Sequence, residues 1–314
     1  MGPVFVTGSD GFVGRAVCRA LREAGIAVRR GVRVPTGAAD EFAYGDLRQT
    51  PDFLPLVRGC SAVIHLAAKV HDIGSDADDE TIFQSVNVDA TVRLAQAAAR
   101  ASVPRFIFAS TLGVHAAKTG IGLRPDAEIG PQTPYARSKW LAEEALRVLE
   151  KAGQVEAVMI RPPLVYGPHC PGNMARLARL VGKGLPLPFG SVRNARSFID
   201  IENLAQVFLK AARAPGAGGR AFLVSDGEDV SLVETLHFLA EGMGRKAKLF
   251  SVSGGILRGA AHLAGKGGEM SKLIDSLTID NEMAAAALEY VPGVRVAEGL
   301  RRTGASFHPA ETGP

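Results

Sequence analysis

Tyr135 and Lys139 stand four residues apart, which on a helix puts a phenol and an ammonium on one face. A free tyrosine, with a pKa near ~10, is a poor base at neutral pH. A cation beside it favours the phenolate, so the pair suits proton exchange with a substrate oxygen. Thr111 closes the run Ala109-Ser110-Thr111 and offers a hydroxyl to the same oxygen. Gly8, Gly11 and Gly14 form a GxxGxxG turn between a β-rich run and a helical stretch. Glycines there let the backbone turn tightly and approach a pyrophosphate, whose charge meets the helix N-terminus.

The second strand decides which dinucleotide is expected. An acid about 20 residues after the glycine turn would bind a ribose 2′-hydroxyl. Here Val32 stands at that place, flanked by Arg29, Arg30 and Arg33. Arginine would pair with a 2′-phosphate that an acid would repel, so NADP(H) is favoured, with NAD(H) possible. Asp46 and Leu47 follow the third strand, placed to meet the adenine by hydrogen bond and packing.

These residues need a scaffold, and the chain alternates strands with helices to supply one. Val4 to Thr7 reads as a strand, Gly14 to Ala24 as a helix ended by Gly25, and Ile26 to Val34 as a second strand. Ala62 to Leu66 is a buried strand, Thr81 to Ala101 a long Ala-rich helix, and Arg105 to Ser110 a strand. Thr133 and Pro134 supply an N-cap and a first helical residue for the helix carrying Tyr135. Glu156 to Arg161 is a further strand, Met174 to Gly182 a helix, Ser197 to Arg213 a helix, and Arg220 to Val224 strand-like. The alternation implies an α/β fold, a Rossmann-type doubly wound parallel sheet, with a smaller C-terminal lobe. The expected division is 1–165 plus 197–227 for the dinucleotide domain and 166–196 plus 228–307 for the substrate lobe, with 308–314 a polar tail.

Composition narrows the class. The 314 residues are 46% apolar and 22% charged, enough for a sizeable core. A net charge of +4, spread along the chain, argues against a nucleic-acid binder, which needs a concentrated basic stripe. No run approaches ~18 uncharged apolar residues, so no membrane span is expected. The first strand begins at Val4, which leaves no room for a signal peptide, and a cytoplasmic location is expected. Cys18, Cys60 and Cys170 are odd in number and widely spaced, and the seven histidines form no ligand pattern. Neither a disulfide framework nor a metal site is expected.

Taken together, the glycine turn, His65-Leu66-Ala67-Ala68, Asn87, Ser110-Thr111 and the Tyr135–Lys139 pair resemble the extended short-chain dehydrogenase/reductase family. Arg161 to Pro168 and Arg196 to Asp200 place the resemblance nearest the NAD(P)-dependent nucleotide-sugar epimerase/dehydratase branch. It covers residues 4–303 and implies roles position by position. Thr111, Tyr135 and Lys139 would be catalytic, with Lys139 also holding the nicotinamide ribose. The cofactor would meet Gly8, Asp10, Gly11, Phe12, Val13 and Gly14 at the turn, then Arg33, Asp46 and Leu47. It would continue past Leu66, Ala67 and Ala68 to Ser110, Tyr135, Lys139 and Pro162, with Asn87 ordering the helix alongside. Lys69, Thr111, Asn173, Phe189 and Arg196 would meet a UDP-sugar, Asn173 and Arg196 at its diphosphate. Departures exist: His115 stands where relatives carry tyrosine, Leu164 where many carry asparagine, and Leu112-Gly113 replace the acid pair of 4,6-dehydratases.

The expected chemistry is hydride transfer at C4 of a nucleotide-diphospho-sugar. The leading version is an NADPH-dependent UDP-4-keto-hexose reductase of surface-polysaccharide precursor synthesis, favoured by the three arginines. The alternative is a UDP-hexose 4-epimerase that retains NAD. Two further classes are a non-catalytic dinucleotide-binding module and an oxidoreductase of apolar carbonyl compounds. The stretch Gly254 to Gly268 interleaves apolar residues with Arg258, His262 and Lys266; it reads as a lobe helix with a basic face or as a membrane-surface element. Relatives pair through a four-helix bundle, so a homodimer is expected.

Overall fold

The computed structural model describes residues 2–50, 52–70, 79–116 and 119–307, so the tail at 308–314 lies outside the described residues. Its strands are β1 (Val4–Thr7), β2 (Val28–Val32), β3 (Glu41–Ala43), β4 (Ala62–His65), β5 (Arg105–Ala109), β6 (Gly120–Leu123), β7 (Glu156–Arg161), β8 (Leu164–Tyr166), β9 (Arg196–Asp200), β10 (Ala221–Leu223), β11 (Asp229–Val230) and β12 (Leu277–Ile279). The helices are α1 (Phe12–Glu23), α2 (Leu54–Val57), α3 (Glu80–Phe83), α4 (Ala90–Arg100), α5 (Pro134–Lys151), α6 (Gly172–Gly182), α7 (Ile201–Ala211), α8 (Leu232–Gly242), α9 (Gly254–Leu263), α10 (Gly267–Ile274), α11 (Glu282–Leu288) and α12 (Val296–Ala305).

Seven strands form one parallel sheet in the order β3-β2-β1-β4-β5-β7-β10. Successive residues serve opposite faces, which is why the central strands β1, β4, β5 and β7 carry buried apolar runs. Val4, Val6, Ile64, Ile107, Val158 and Ile160 face α1 and α7 in one core. Phe5, Val63, Phe106, Phe108, Ala157 and Met159 face α4 and α5 in the other. The strand order reverses between β1 and β4, and a ligand crevice is expected at the C-terminal ends of that pair.

A second sheet, β11-β9-β12-β6 with β8 beside β9, carries the smaller lobe. The lobe core joins Met174, Ala178, Leu236, Leu239 and Leu300 from α6, α8 and α12. The continuous helix expected over 197–213 is corrected: Arg196–Asp200 is a strand, and the helix begins only at Ile201. Asp200 marks the change, its carboxylate capping Glu202 N at 2.8 Å. Strand β6, within 1–165, pairs with β12 in the second sheet. Ala284, Leu288 and Tyr290, within 228–307, pack into the first core.

Candidate active site

The glycine turn is closed to side chains. Gly8 adopts φ +64°, and a Cβ there would lie 2.9 Å from Ala67 N. A Cβ on Gly14 would lie 2.0 Å from Gly8 O. Such a cradle fits a pyrophosphate, because only bare backbone leaves room for it. Helix α1 starts with no side-chain cap and no acid in its first turn, so its N–H groups stay available to an anion. Gly11 stands at the N-cap and Phe12 and Val13 open the helix.

A cleft of ≈ 480 Å³ continues from this turn, lined by Gly8, Asp10, Arg33, Asp46, Leu47, Ala67, Ala68 and Lys69. The structure therefore gathers eight of the expected residues at the reversal point. Tyr44, Ile82 and Val86 also line the cleft, and no sequence pattern singled them out. Arg48 chelates Asp46, with contacts of 3.1, 3.1 and 2.6 Å, and holds that carboxyl down to about 2.

The three arginines of the second strand divide. Arg29 donates to the carbonyls of Leu56 and Arg58 at 2.7 and 3.1 Å and stacks on Phe42. Arg30 is ion-paired with Asp40 and Glu41. Of the three, Arg33 lines the cleft.

A directed hydrogen-bond chain ties the turn to the catalytic helix. Thr7 Oγ1 accepts from Leu66 N and Ala67 N, each at 3.2 Å, and lies 2.7 Å from His65 Nδ1. Thr7 therefore directs its own hydroxyl proton to His65 Nδ1, which accepts, so the neutral ring carries its hydrogen on Nε2 and donates to Thr91 Oγ1 at 2.9 Å. Thr91 Oγ1 in turn donates to Asn87 O at 2.8 Å. Burial, aided by Lys139, pushes the His65 pKa down to about 3, so the ring stays neutral. Asn87 sits in a π-helical turn, Gln84–Asp89, that turns its amide inward. That amide grips both backbone groups of Lys69, at 2.8 and 3.0 Å, and donates to Ser138 Oγ at 2.9 Å. Ser138 then donates to Tyr135 O at 2.8 Å.

Helix α5 starts as its sequence implies, with Thr133 Oγ1 accepting from Ala136 N at 3.1 Å and Pro134 in the first turn. Lys139 Nζ lies 5.9 Å from the Tyr135 ring centre and 4.5 Å over Phe108. Burial raises the Tyr135 phenol to about 12 and lowers the Lys139 ammonium to about 7. The low-dielectric site thus holds a phenol that gives up its proton only when positive charge is brought beside it. Thr111 Oγ1 accepts from Gly113 N at 3.1 Å, and Leu112 N donates to Pro162 O at 2.9 Å. Those bonds seat the Thr111 turn between the ends of β5 and β7.

Behind the site lies a buried ionic cluster. Ser110 donates to Glu143, and Arg161 clasps the same carboxylate through Nε at 2.9 Å and Nη2 at 2.6 Å. The Ser110 hydroxyl therefore points at α5 in this structure. Arg161 also donates to Pro125 O at 3.0 Å and to His115 Nε2 at 3.1 Å, while His115 Nδ1 lies 3.1 Å from Ala127 O. Burial, then the adjacent Arg161, lowers the His115 pKa.

The lobe residues are dispersed. Asn173 is exposed in the first turn of α6. Phe189 is 7% exposed within the lobe core. Arg196 donates to Asp275 O at 2.8 Å, which fixes its stem beside β12.

A parallel dinucleotide sheet whose site helix presents a half-buried tyrosine beside a buried lysine is the arrangement of enzymes of the short-chain dehydrogenase/reductase type. The chain belongs to the NAD dependent epimerase/dehydratase family, whose model matches residues 4–225. It is 34% identical over 311 residues to a UDP-glucose 4-epimerase of Vibrio cholerae, covering 97% of this chain and 95% of the relative. It is 30% identical to a 2-alkyl-3-oxoalkanoate reductase of Stenotrophomonas maltophilia, covering 96% and 98%. In fold it matches the UDP-glucuronic acid 4-epimerase of Bacillus cereus solved with NAD, at TM-score 0.79 and 21% identity, covering 97% and 96%.

Proposed function

We propose that the protein oxidises and reduces C4 of a UDP-hexose, and that 4-epimerisation with a retained NAD is the version the geometry supports best. The observation that carries this choice is the division of the arginines. Arg29 and Arg30, which spoke for a 2′-phosphate, are committed to Leu56, Arg58, Asp40 and Glu41. The likeness to an epimerase across nearly the whole chain supports the same choice. Arg33 favours the second version, an NADPH-dependent 4-ketoreductase, because it remains on the cleft.

A bound nicotinamide would supply the hydride acceptor and a positive charge beside the phenol. The residues of this chain do the rest. Gly8, Gly11 and Gly14 admit the pyrophosphate, Leu66 to Ala68 carry it along the crevice, and Lys139 meets the ribose. Tyr135 takes the proton from O4 as C4 is oxidised and returns it as C4 is reduced, so the phenol is regenerated each cycle. Lys139 lowers the energy of the transient phenolate, and Thr111 hydrogen-bonds O4. Asn173, Phe189 and Arg196 are assigned to the nucleotide end of the substrate. Pairing of two copies through α4 and α5 is part of the proposal, supported by Leu141 and Val148, which are 47% and 67% exposed on α5.

The test is mass spectrometry of the nucleotide released on denaturing freshly purified protein, with titrations of NADH and NADPH. Stoichiometric NAD without preference for the phosphorylated form supports the epimerase. Empty protein binding NADPH at least tenfold more tightly supports the reductase.

A further inference from the structure

Between Glu241 and Glu269 the chain runs 27 residues without an acidic side chain, yet it holds Arg245, Lys246, Lys248, Arg258 and Lys266. The lobe helix α9 lies inside this run. It is anchored on one side only: Leu257 and Ala261 are buried, and Leu257 joins the lobe core. The opposite side carries Ile256 at 64% and Leu263 at 90% exposure, seven residues apart, with Gly259 and Ala260 exposed between them. Phe250, just before the helix, is 49% exposed. A soluble helix ordinarily shows charge to water on such a face. This one shows aliphatic side chains there.

The lysines among those cations are available to a partner, whereas the arginines are engaged. Arg258 is paired with Asp275, and Arg245 donates to Gly182 O. Lys246, Lys248 and Lys266 are exposed and form no ion pair among the described residues, nor does Lys272 on α10. Ser253 caps the helix start, accepting from Ile256 N, and Gly265 with φ +70° closes its end. Lys266 N donates to Ala261 O at 2.7 Å, so this lysine is held directly beyond the apolar face. The segment is tied to the substrate lobe, because Asn194 donates to Leu273 O at 3.0 Å and Arg196 to Asp275 O.

From this face we infer a docking surface for an anionic lipid bilayer: Ile256, Leu263 and Phe250 enter the acyl boundary while Lys246, Lys248, Lys266 and Lys272 meet the headgroups. Apolar burial plus attraction to acidic lipid is the combination that holds an amphipathic helix in an interface. The charge complementarity selects a membrane over a second copy of this chain, whose matching face would carry the same positive charge.

The experiment is flotation of the full-length protein with vesicles of phosphatidylcholine alone or with 30% phosphatidylglycerol, about a third anionic lipid by composition. Binding to the anionic vesicles, weakened at least tenfold by Ile256→Ser with Leu263→Ser and by 0.5 M salt, supports the inference. Both substituted side chains are exposed, and unchanged circular dichroism and C4 activity confirm that the fold is intact. Lysine reversal, Lys266→Glu with Lys272→Glu, is the second variant and is expected to abolish the preference for anionic vesicles. No flotation with either vesicle overturns the inference. So does self-association of the free protein that the serine variant removes without any vesicle binding.

Discussion

Removing the Glu143 carboxylate should strand a buried cation. Glu143 is fully buried and Arg161 is 1% exposed. The carboxylate accepts from Arg161 twice, from Arg147 at 2.8 Å and from Ser110. In Glu143→Leu the guanidinium keeps its charge and its bonds to Pro125 O and His115, but loses the group that neutralised it. Breaking a buried pair from one side costs about 3–5 kcal/mol. With a urea slope of about 3 kcal/mol/M, the midpoint should fall by roughly 1–1.7 M. Replacing both partners by apolar groups, Glu143→Leu with Arg161→Met, removes the stranded charge and should recover most of that loss. Urea unfolding of the wild type, both single variants and the double variant closes the cycle, with an expected coupling above ~2 kcal/mol. A single-variant cost below ~1 kcal/mol, or a double cost equal to the sum of the singles, refutes the reasoning.

Other consequences are as specific. Tyr135→Phe should lower turnover by about 10²–10⁴-fold while dinucleotide binding persists, because it removes only the proton carrier. Gly14→Ala should abolish dinucleotide binding measured by fluorescence, since the new Cβ would sit 2.0 Å from Gly8 O. His65 stays neutral in the fold down to about pH 3, whereas the unfolded chain protonates it near 6.5. The unfolded state therefore binds more protons in that window, and stability should fall by about 1.4 kcal/mol per pH unit from this group as pH drops below 6.5. His65→Gln should flatten the acid limb of a urea-midpoint profile by that slope; an unchanged limb would show that the ring is protonated in the fold.

Legibility in the sequence followed the range of the interactions. The turn at Gly8 to Gly14 and the cap at Thr133 are local, so their residue types alone disclosed them. Strand β9 did not disclose itself: five residues, Arg196 to Asp200, fit either a buried strand or a helical turn. What makes them a strand is pairing with β8, β11 and β12, the last about eighty positions away. The same holds for Arg29 and Arg30, which look available until Asp40, Glu41 at the start of β3 and the carbonyls of residues 56 and 58 are folded against them. Ser110 and Glu143 are 33 positions apart, so nothing in the linear order joined them. His65 was visible as part of a motif, but its tautomer is set by Thr7 and Thr91 and emerges only in three dimensions.

The central claim, hydride transfer at C4 with Tyr135 as proton carrier, is tested most directly with UDP-hexoses carrying deuterium at C4. Wild-type protein, incubated with the labelled UDP-glucose and UDP-N-acetylglucosamine, should yield a C4 epimer that keeps the deuterium on C4, and Tyr135→Phe should not. Epimer formed with the label washed out to solvent would contradict the account, as would full interconversion by the phenylalanine variant.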